Sequence, residues 1–179
     1  MPGVNLPNLI TIARILSVPV FLWSAFRASD AGLLLAFIIF VAASISDQID
    51  GYLARKHDLV TKAGEFLDPL ADKLLVGAAL VVLVAERGFP LWAALLIAVR
   101  EIAVQILRTQ IVRGGGQLPA SPAAKLKTVT QIVTMSWWLL PWEEPNLSHW
   151  LLLAASLVMT FWSGIEYFVR AQHVEEVSP

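Results

Sequence analysis

GLLLAFIIFVAASIS, residues 32–46, runs without a break into DQIDGYLARKHDLVTKAGEFLDPLAD, residues 47–72. The first segment carries no charge and would be at ease only in lipid or a deep core, whereas the second places carboxylates at Asp47, Asp50, Asp68 and Asp72. If both segments are helical, Asp47 and Asp50, three apart, share one helix face, and Asp68 and Asp72, four apart, share another. Two such faces opposed would make one tetra-carboxylate site. A single acid at membrane depth costs about 2.5–3.5 kcal/mol on insertion scales, so four of them are expected to be held by something cationic.

Composition sets the class. The chain has 179 residues, is 57% apolar and has a mean hydropathy of +0.68. Its apolar runs approach the roughly 20 residues that a bilayer-spanning helix needs. The reading is an all-α polytopic membrane protein, residues 1–179 forming one transmembrane domain. A net charge of −1 offers no basic excess for nucleic acid. The absence of cysteine removes disulfides, thiolate metal sites and cysteine nucleophiles, so a metal would have to be held by oxygen or histidine. The opening MPGVNLPNLIT has no Lys or Arg before the first apolar run, unlike a cleaved signal, and the first helix is expected to be retained.

Six spans are expected: helix 1 over about Leu6 to Phe26, helix 2 Gly32 to Lys56, helix 3 Thr61 to Ala85, helix 4 Leu91 to Arg113, helix 5 Ala123 to Trp142 and helix 6 Leu147 to Ala171. Breakers fall between the apolar runs, at Ala31-Gly32, Gly88 to Pro90, Gly114 to Gly116 with Pro119 and Pro122, and Pro141 to Pro145. Cations cluster after helices 2 and 4, with Arg55, Lys56, Lys62, Arg108, Arg113, Lys125 and Lys127, while the opposite side has little more than Arg27 and Arg87. That is a positive-inside pattern with both termini and the carboxylate stretch at the cytoplasmic face of the cell membrane. Trp23, Trp92, Trp138, Trp142 and Trp150 would lie at the outer interface.

Three readings of the acids compete. They could be helix-end residues pairing with Arg55, Lys56, Lys62 and Lys73, an ion or proton relay in a transporter, or a binuclear site for Mg²⁺ or Mn²⁺. Interleaved small residues favour the last. Gly51 and Ala54 leave one face of helix 2 nearly bare, Gly64 does the same for helix 3, and Arg55 can clamp a phosphate bidentately. Pro69, lacking an N–H, leaves the Glu65 carbonyl without its helical partner beside Asp68. A relay needs acids but no bare floor for a nucleotide diphosphate.

Written as a pattern, the stretch is D-x2-D-G-x2-A-R-x8-G-x3-D-x3-D, filled by Asp47, Asp50, Gly51, Ala54, Arg55, Gly64, Asp68 and Asp72. It resembles the signature of the CDP-alcohol phosphotransferase family, whose six-helix layout would account for the whole chain. The resemblance implies an enzyme, usually a homodimer, that displaces CMP from a CDP-linked lipid with the hydroxyl of an acceptor alcohol. It also implies two divalent cations, Mg²⁺ or Mn²⁺, ligated by Asp47, Asp50 and Asp68 with Asp72 close by. Asp72 would be the general base, and Asp47, Gly51, Ala54, Arg55 and Gly64 would shape the CDP site.

The acceptor must be sought in the second half. Arg108, Lys125 and Lys127 suit an anion pocket for a phosphorylated acceptor, although the positive-inside rule alone would also put cations there. Arg100 and Glu101, adjacent within an apolar run, could equally form an intramembrane ion-pair network. NLPNLITIARIL near the amino terminus, FLDPLADKLL, the REI at 100–102 and AKLKT at 124–128 are similar to the glycerol-3-phosphate branch of the family. The substrates implied are CDP-diacylglycerol and sn-glycerol 3-phosphate, with membrane lipids as further partners. Inositol phosphate, phosphatidylglycerol or serine would be alternative acceptors. Asn8, Thr11 and Arg14, spaced three apart, could face the same site or serve only as structural hydrogen-bonding groups.

Other features carry less. Gly114 to Gly116 lacks the following Lys-Ser/Thr of a phosphate-binding loop and reads as a connector. His57, His149 and His173 are scattered and have no partners at metal-ligand spacing, and the tail HVEEVSP reads as a frayed terminus.

Overall fold

The computed structural model describes residues 6–27, 29–56, 62–114 and 121–177, with side chains described except at 6–7, 50–56, 62–63, 65–66, 113 and 173–177. The described residues form six α-helices: α1 Leu6–Ala25, α2 Asp30–Lys56, α3 Lys62–Glu86, α4 Leu91–Arg113, α5 Pro122–Leu139 and α6 Leu147–Val177. All six expected helices are there. α5 stops at Leu139, two residues before Pro141, whose ring excludes the preceding residue from helical geometry. α6 runs to Val177, so the backbone of 173–177, expected to fray, is helical.

Among the described residues, three helices contain windows long and apolar enough to cross a membrane: Asn8–Ala25, Asp30–Ile49 and Leu147–Gln172. The remaining helices are diluted by charge, at Asp68, Asp72 and Lys73 in α3, Arg100 and Glu101 in α4, and Lys125 and Lys127 in α5. Burial is inverted relative to a water-soluble bundle. On α1, Thr11, Arg14 and Ser24 are buried while Leu9, Ile12, Leu16, Val20 and Trp23 are exposed. α6 repeats the pattern, with Ser156, Thr160 and Ser163 buried and Val158, Phe161, Trp162 and Ile165 exposed. Large apolar side chains facing outward, with polar groups kept inside among buried apolar ones, is the arrangement that lipid as solvent selects. The chain is a membrane protein.

The chain divides into two compact units. The first comprises residues 1–88 and 135–144. In it α1 packs along both α2 and α3, which meet each other less extensively. Its interior alternates aromatics with small residues: Phe21 and Phe40 lie 6.3 Å apart between ring centroids, beside buried Ala25, Ala36, Ala71 and Ala79. Small residues let helix backbones approach, which compensates for the weak hydrophobic drive between helices in lipid. At Gly32 a Cβ would lie 2.5 Å from the Ser24 carbonyl oxygen. Gly88, at φ 66°, makes the turn after α3 in a conformation that favours glycine.

Both cations expected on the side opposite the carboxylates have structural work. Arg27 stacks on Trp23 at 4.0 Å from the ring centroid. Arg87 donates to the carbonyls of Trp138, Leu140 and Trp142, closing the C-terminus of α5. Trp23, Trp92, Trp142 and Trp150 are exposed as an interfacial belt requires, but Trp138 is buried, on the inner side of the α5 terminus.

The second unit comprises residues 89–134 and 145–179. α4 packs on α6, with Ile111, Tyr167 and Ala171 forming a small apolar cluster joined by Val104 and Leu107. Thr134 reaches the Leu152 carbonyl at 3.0 Å, and Ser121 reaches Glu166 at 2.8 Å, setting α5 antiparallel to α6. His149 is buried, and its Nδ1 accepts the Asn146 backbone N–H at 3.1 Å, so it caps the start of α6.

Candidate active site on the carboxylate helices

Two of the four expected carboxylates are gathered by the first helix. Thr11 Oγ1 donates to Asp68 Oδ1 at 2.6 Å, and Arg14 Nη1 donates to Asp47 Oδ1 at 2.6 Å. Thr11 and Arg14 are three residues apart and therefore occupy one face of α1, where both are buried, at 1% and 2% exposure. The acids they hold come from α2 and α3, so three helices converge on one polar locus inside an otherwise apolar bundle. The Arg14 pair is charge-assisted, and a buried guanidinium is tolerated in such surroundings only when it has an ionic partner of this kind.

Asp47 and Asp72 keep 31% and 41% of their side chains exposed, so the locus opens outward rather than being sealed. Asp72, one helical turn beyond Asp68 on α3, is 3.2 Å from the neighbouring Lys73 ammonium. Between them Pro69 lies inside the helix, withdrawing one backbone N–H at the point where the two acids emerge. Gly64, in the first turns of α3, is buried. Asp50, Gly51, Ala54 and Arg55 belong to α2 by backbone, but their side chains lie outside the described residues, as does that of Arg113.

The donor chemistry fits hard divalent cations. Asp47 and Asp68 present carboxylate oxygens from two helices to one face of a third, with no sulfur or imidazole among them. Asp68 makes no second hydrogen bond among the described residues, which leaves Oδ2 for another partner. The described residues alone do not assemble three or more candidate ligands at one point.

In the second unit, Arg100 and Glu101 form the ion-pair network that their adjacency allows. Arg100 Nη1 lies 3.3 Å from Glu101 Oε1, and Nη2 donates to Ser163 at 2.8 Å. Lys127 is paired with the same Glu101 oxygen and is buried. Of the three cations expected to receive an acceptor phosphate, Arg108 and Lys125 are exposed, whereas Lys127 is engaged by Glu101. Sequence reading did not anticipate the bonds from Lys127 to Glu101, Arg100 to Ser163 or Ser121 to Glu166. Only the three-residue spacing of Thr11 and Arg14 signalled a shared face.

A family model described as CDP-alcohol phosphatidyltransferase matches residues 4–162, a span that includes α1 to α5 and the whole aspartate pattern. The chain belongs to the CDP-alcohol phosphatidyltransferase family. It is 39% identical over 171 residues to a probable phosphatidylglycerophosphate synthase of Mycobacterium tuberculosis, covering 93% of this chain and 81% of the relative. It is 41% identical over 182 residues to a CDP-diacylglycerol--glycerol-3-phosphate 3-phosphatidyltransferase of Bacillus subtilis, covering 93% and 94%. A Rickettsia bellii protein of the same name is 37% identical over 169 residues, covering 92% and 93%. CDP-alcohol phosphatidyltransferases are enzymes that generally use divalent metal ions. The resemblance drawn from the aspartate pattern is thereby borne out at the level of the family.

Proposed function

We propose that this chain transfers the phosphatidyl group of CDP-diacylglycerol to sn-glycerol 3-phosphate, giving phosphatidylglycerophosphate and CMP. The observation that carries the reading is the convergence of Asp47 and Asp68 on one face of α1, within a complete family pattern whose similar relatives bear that activity in their names.

In this reading Asp47, Asp50, Asp68 and Asp72 hold two divalent cations, Mg²⁺ or Mn²⁺. When bound, these would neutralise charge on the pyrophosphate and stabilise CMP as a leaving group. Gly51, Ala54 and Gly64 let the CDP moiety approach the helix backbones, and Arg55 clamps its phosphate. Asp72 accepts the proton of the attacking glycerol 3-phosphate hydroxyl as its oxygen bonds to the phosphatidyl phosphorus. The bond from that phosphorus to the CMP oxygen then breaks, and the electron pair leaves with CMP. Arg108 and Lys125 receive the acceptor phosphate, while Lys127 is engaged by Glu101. The site opens to the cytoplasm, following the cation asymmetry of the sequence, and the enzyme works as a homodimer in the cell membrane.

The test is CMP release by purified protein in detergent with CDP-diacylglycerol and Mg²⁺, offering glycerol 3-phosphate, inositol phosphate, serine and phosphatidylglycerol in parallel. Release with glycerol 3-phosphate alone, abolished by EDTA, is the expected result. Preference for another acceptor would overturn the acceptor assignment and leave the transfer chemistry standing.

A further inference from the structure

We propose that Thr11 and Arg14 are positioning residues of the metal site, through which helix α1 sets the mutual direction of two carboxylates carried on two other helices. The inference rests on the metal reading of the proposed site. Its basis is how the helices pack: α1 lies along both α2 and α3, while α2 and α3 meet each other less extensively. The relation between Asp47 on α2 and Asp68 on α3 is therefore transmitted through α1. Both ties leave the same face of α1 one turn apart, both end on Oδ1, and both donors are buried, at 1% and 2% exposure.

The two ties do different electrostatic work. The Thr11 hydroxyl orients Asp68 and leaves its full negative charge available to a cation. The Arg14 guanidinium orients Asp47 while offsetting part of its charge, which keeps a carboxylate at this depth tolerable before any metal arrives. Hydrogen-bonding partners of ligating groups typically change metal affinity 10–100-fold when removed, because the ligand is no longer held in its coordinating direction.

Direct metal binding tests this without turnover. Free Mn²⁺ is followed by electron paramagnetic resonance as the full-length protein in detergent is titrated without substrate, comparing wild type with Thr11→Val, Thr11→Ser and Arg14→Lys. Valine keeps the shape of threonine and removes the donor, serine keeps the donor, and lysine keeps the charge without the guanidinium fork. The expected result is about 10–100-fold weaker Mn²⁺ binding for Thr11→Val and Arg14→Lys, with Thr11→Ser close to wild type. Wild-type affinity in a Thr11→Val protein of unchanged helix content would overturn the proposal and leave Thr11 a packing residue. Should Arg14→Lys not fold, the contrast between valine and serine at position 11 still decides. If wild type itself binds no Mn²⁺, the metal reading falls first and the positioning role falls with it.

Discussion

Arg87 Nε donates to the carbonyl oxygen of Trp138 at 3.1 Å, joining the end of α3 to the end of α5 across 51 positions of sequence. Nη2 adds the carbonyls of Leu140 and Trp142 at 2.7 and 2.8 Å. Burial lowers the pKa of Arg87 while Asp30 opposes that shift. Hydrogen bonds to charged groups contribute about 1.5–3 kcal/mol each, discounted here because Arg87 is only partly buried. Arg87→Ala is expected to lower stability by about 2 kcal/mol, read as a fall in the unfolding midpoint in detergent. Faster amide exchange at Leu140 and Trp142 should accompany it, and Arg87→Lys, a single point donor, should recover only part.

Two helical glycines are expected to respond oppositely to alanine. At Gly32 the added Cβ would sit 2.5 Å from the Ser24 carbonyl oxygen, a backbone atom that yields only if α1 and α2 separate. Overpacking of this kind costs about 1–3 kcal/mol. At Gly77 nothing lies within 4 Å of the added Cβ, and alanine is expected to stabilise α3 by about 0.5–1 kcal/mol through reduced backbone entropy. Thermal unfolding of the two variants side by side checks the sign of each.

Glu101 serves two cations, Arg100 and Lys127, and its side chain is only 11% exposed. Glu101→Gln strands two charges in a poorly solvated place, and breaking a buried pair in this way costs about 3–5 kcal/mol. Combining it with Lys127→Met removes one of the stranded cations and is expected to restore part of the loss. A double-mutant cycle on unfolding midpoints measures the coupling.

Asp72→Asn is expected to abolish CMP release, by at least about 10²-fold as for loss of a positioned general base. Retained binding of CDP-diacylglycerol separates that role from a role in substrate capture. Loss of binding with normal residual chemistry would remove Asp72 from proton transfer.

All six helices were legible because apolar runs and Gly/Pro breakers alternate cleanly along the chain. The helix ends were read less well where tertiary context decides, as at α5, whose end meets Pro141 and the Arg87 cap. The aspartate pattern was legible because its residues are close in sequence and their period is helical. Its anchoring was only half legible: Thr11 and Arg14 announce a shared face, but nothing local says that their partners are 57 and 33 residues away. Lys127 illustrates the opposite failure. Read alone it is a cation near a basic end, and only the fold brings it against Glu101 and so changes what it is available to do.

Adjacent residues on a helix project about 100° apart. Arg100 and Glu101 therefore leave α4 at different azimuths; their ends meet at 3.3 Å, and from there the first reaches Ser163 on α6 and the second Lys127 on α5. Gly164 lies alongside the first of these, where an added Cβ would meet Arg100 Nε and Cγ at an ordinary contact distance of 3.6–3.7 Å. Side chains that are apolar on every outward face give a helix in lipid no preferred azimuth. Two polar tethers, one to α6 and one to α5, supply one, since spinning α4 about its own axis would strain them. The REI tripeptide thus acts as a rotational detent, fixing which face of α4, and with it which side of Arg108, is turned toward the rest of its unit.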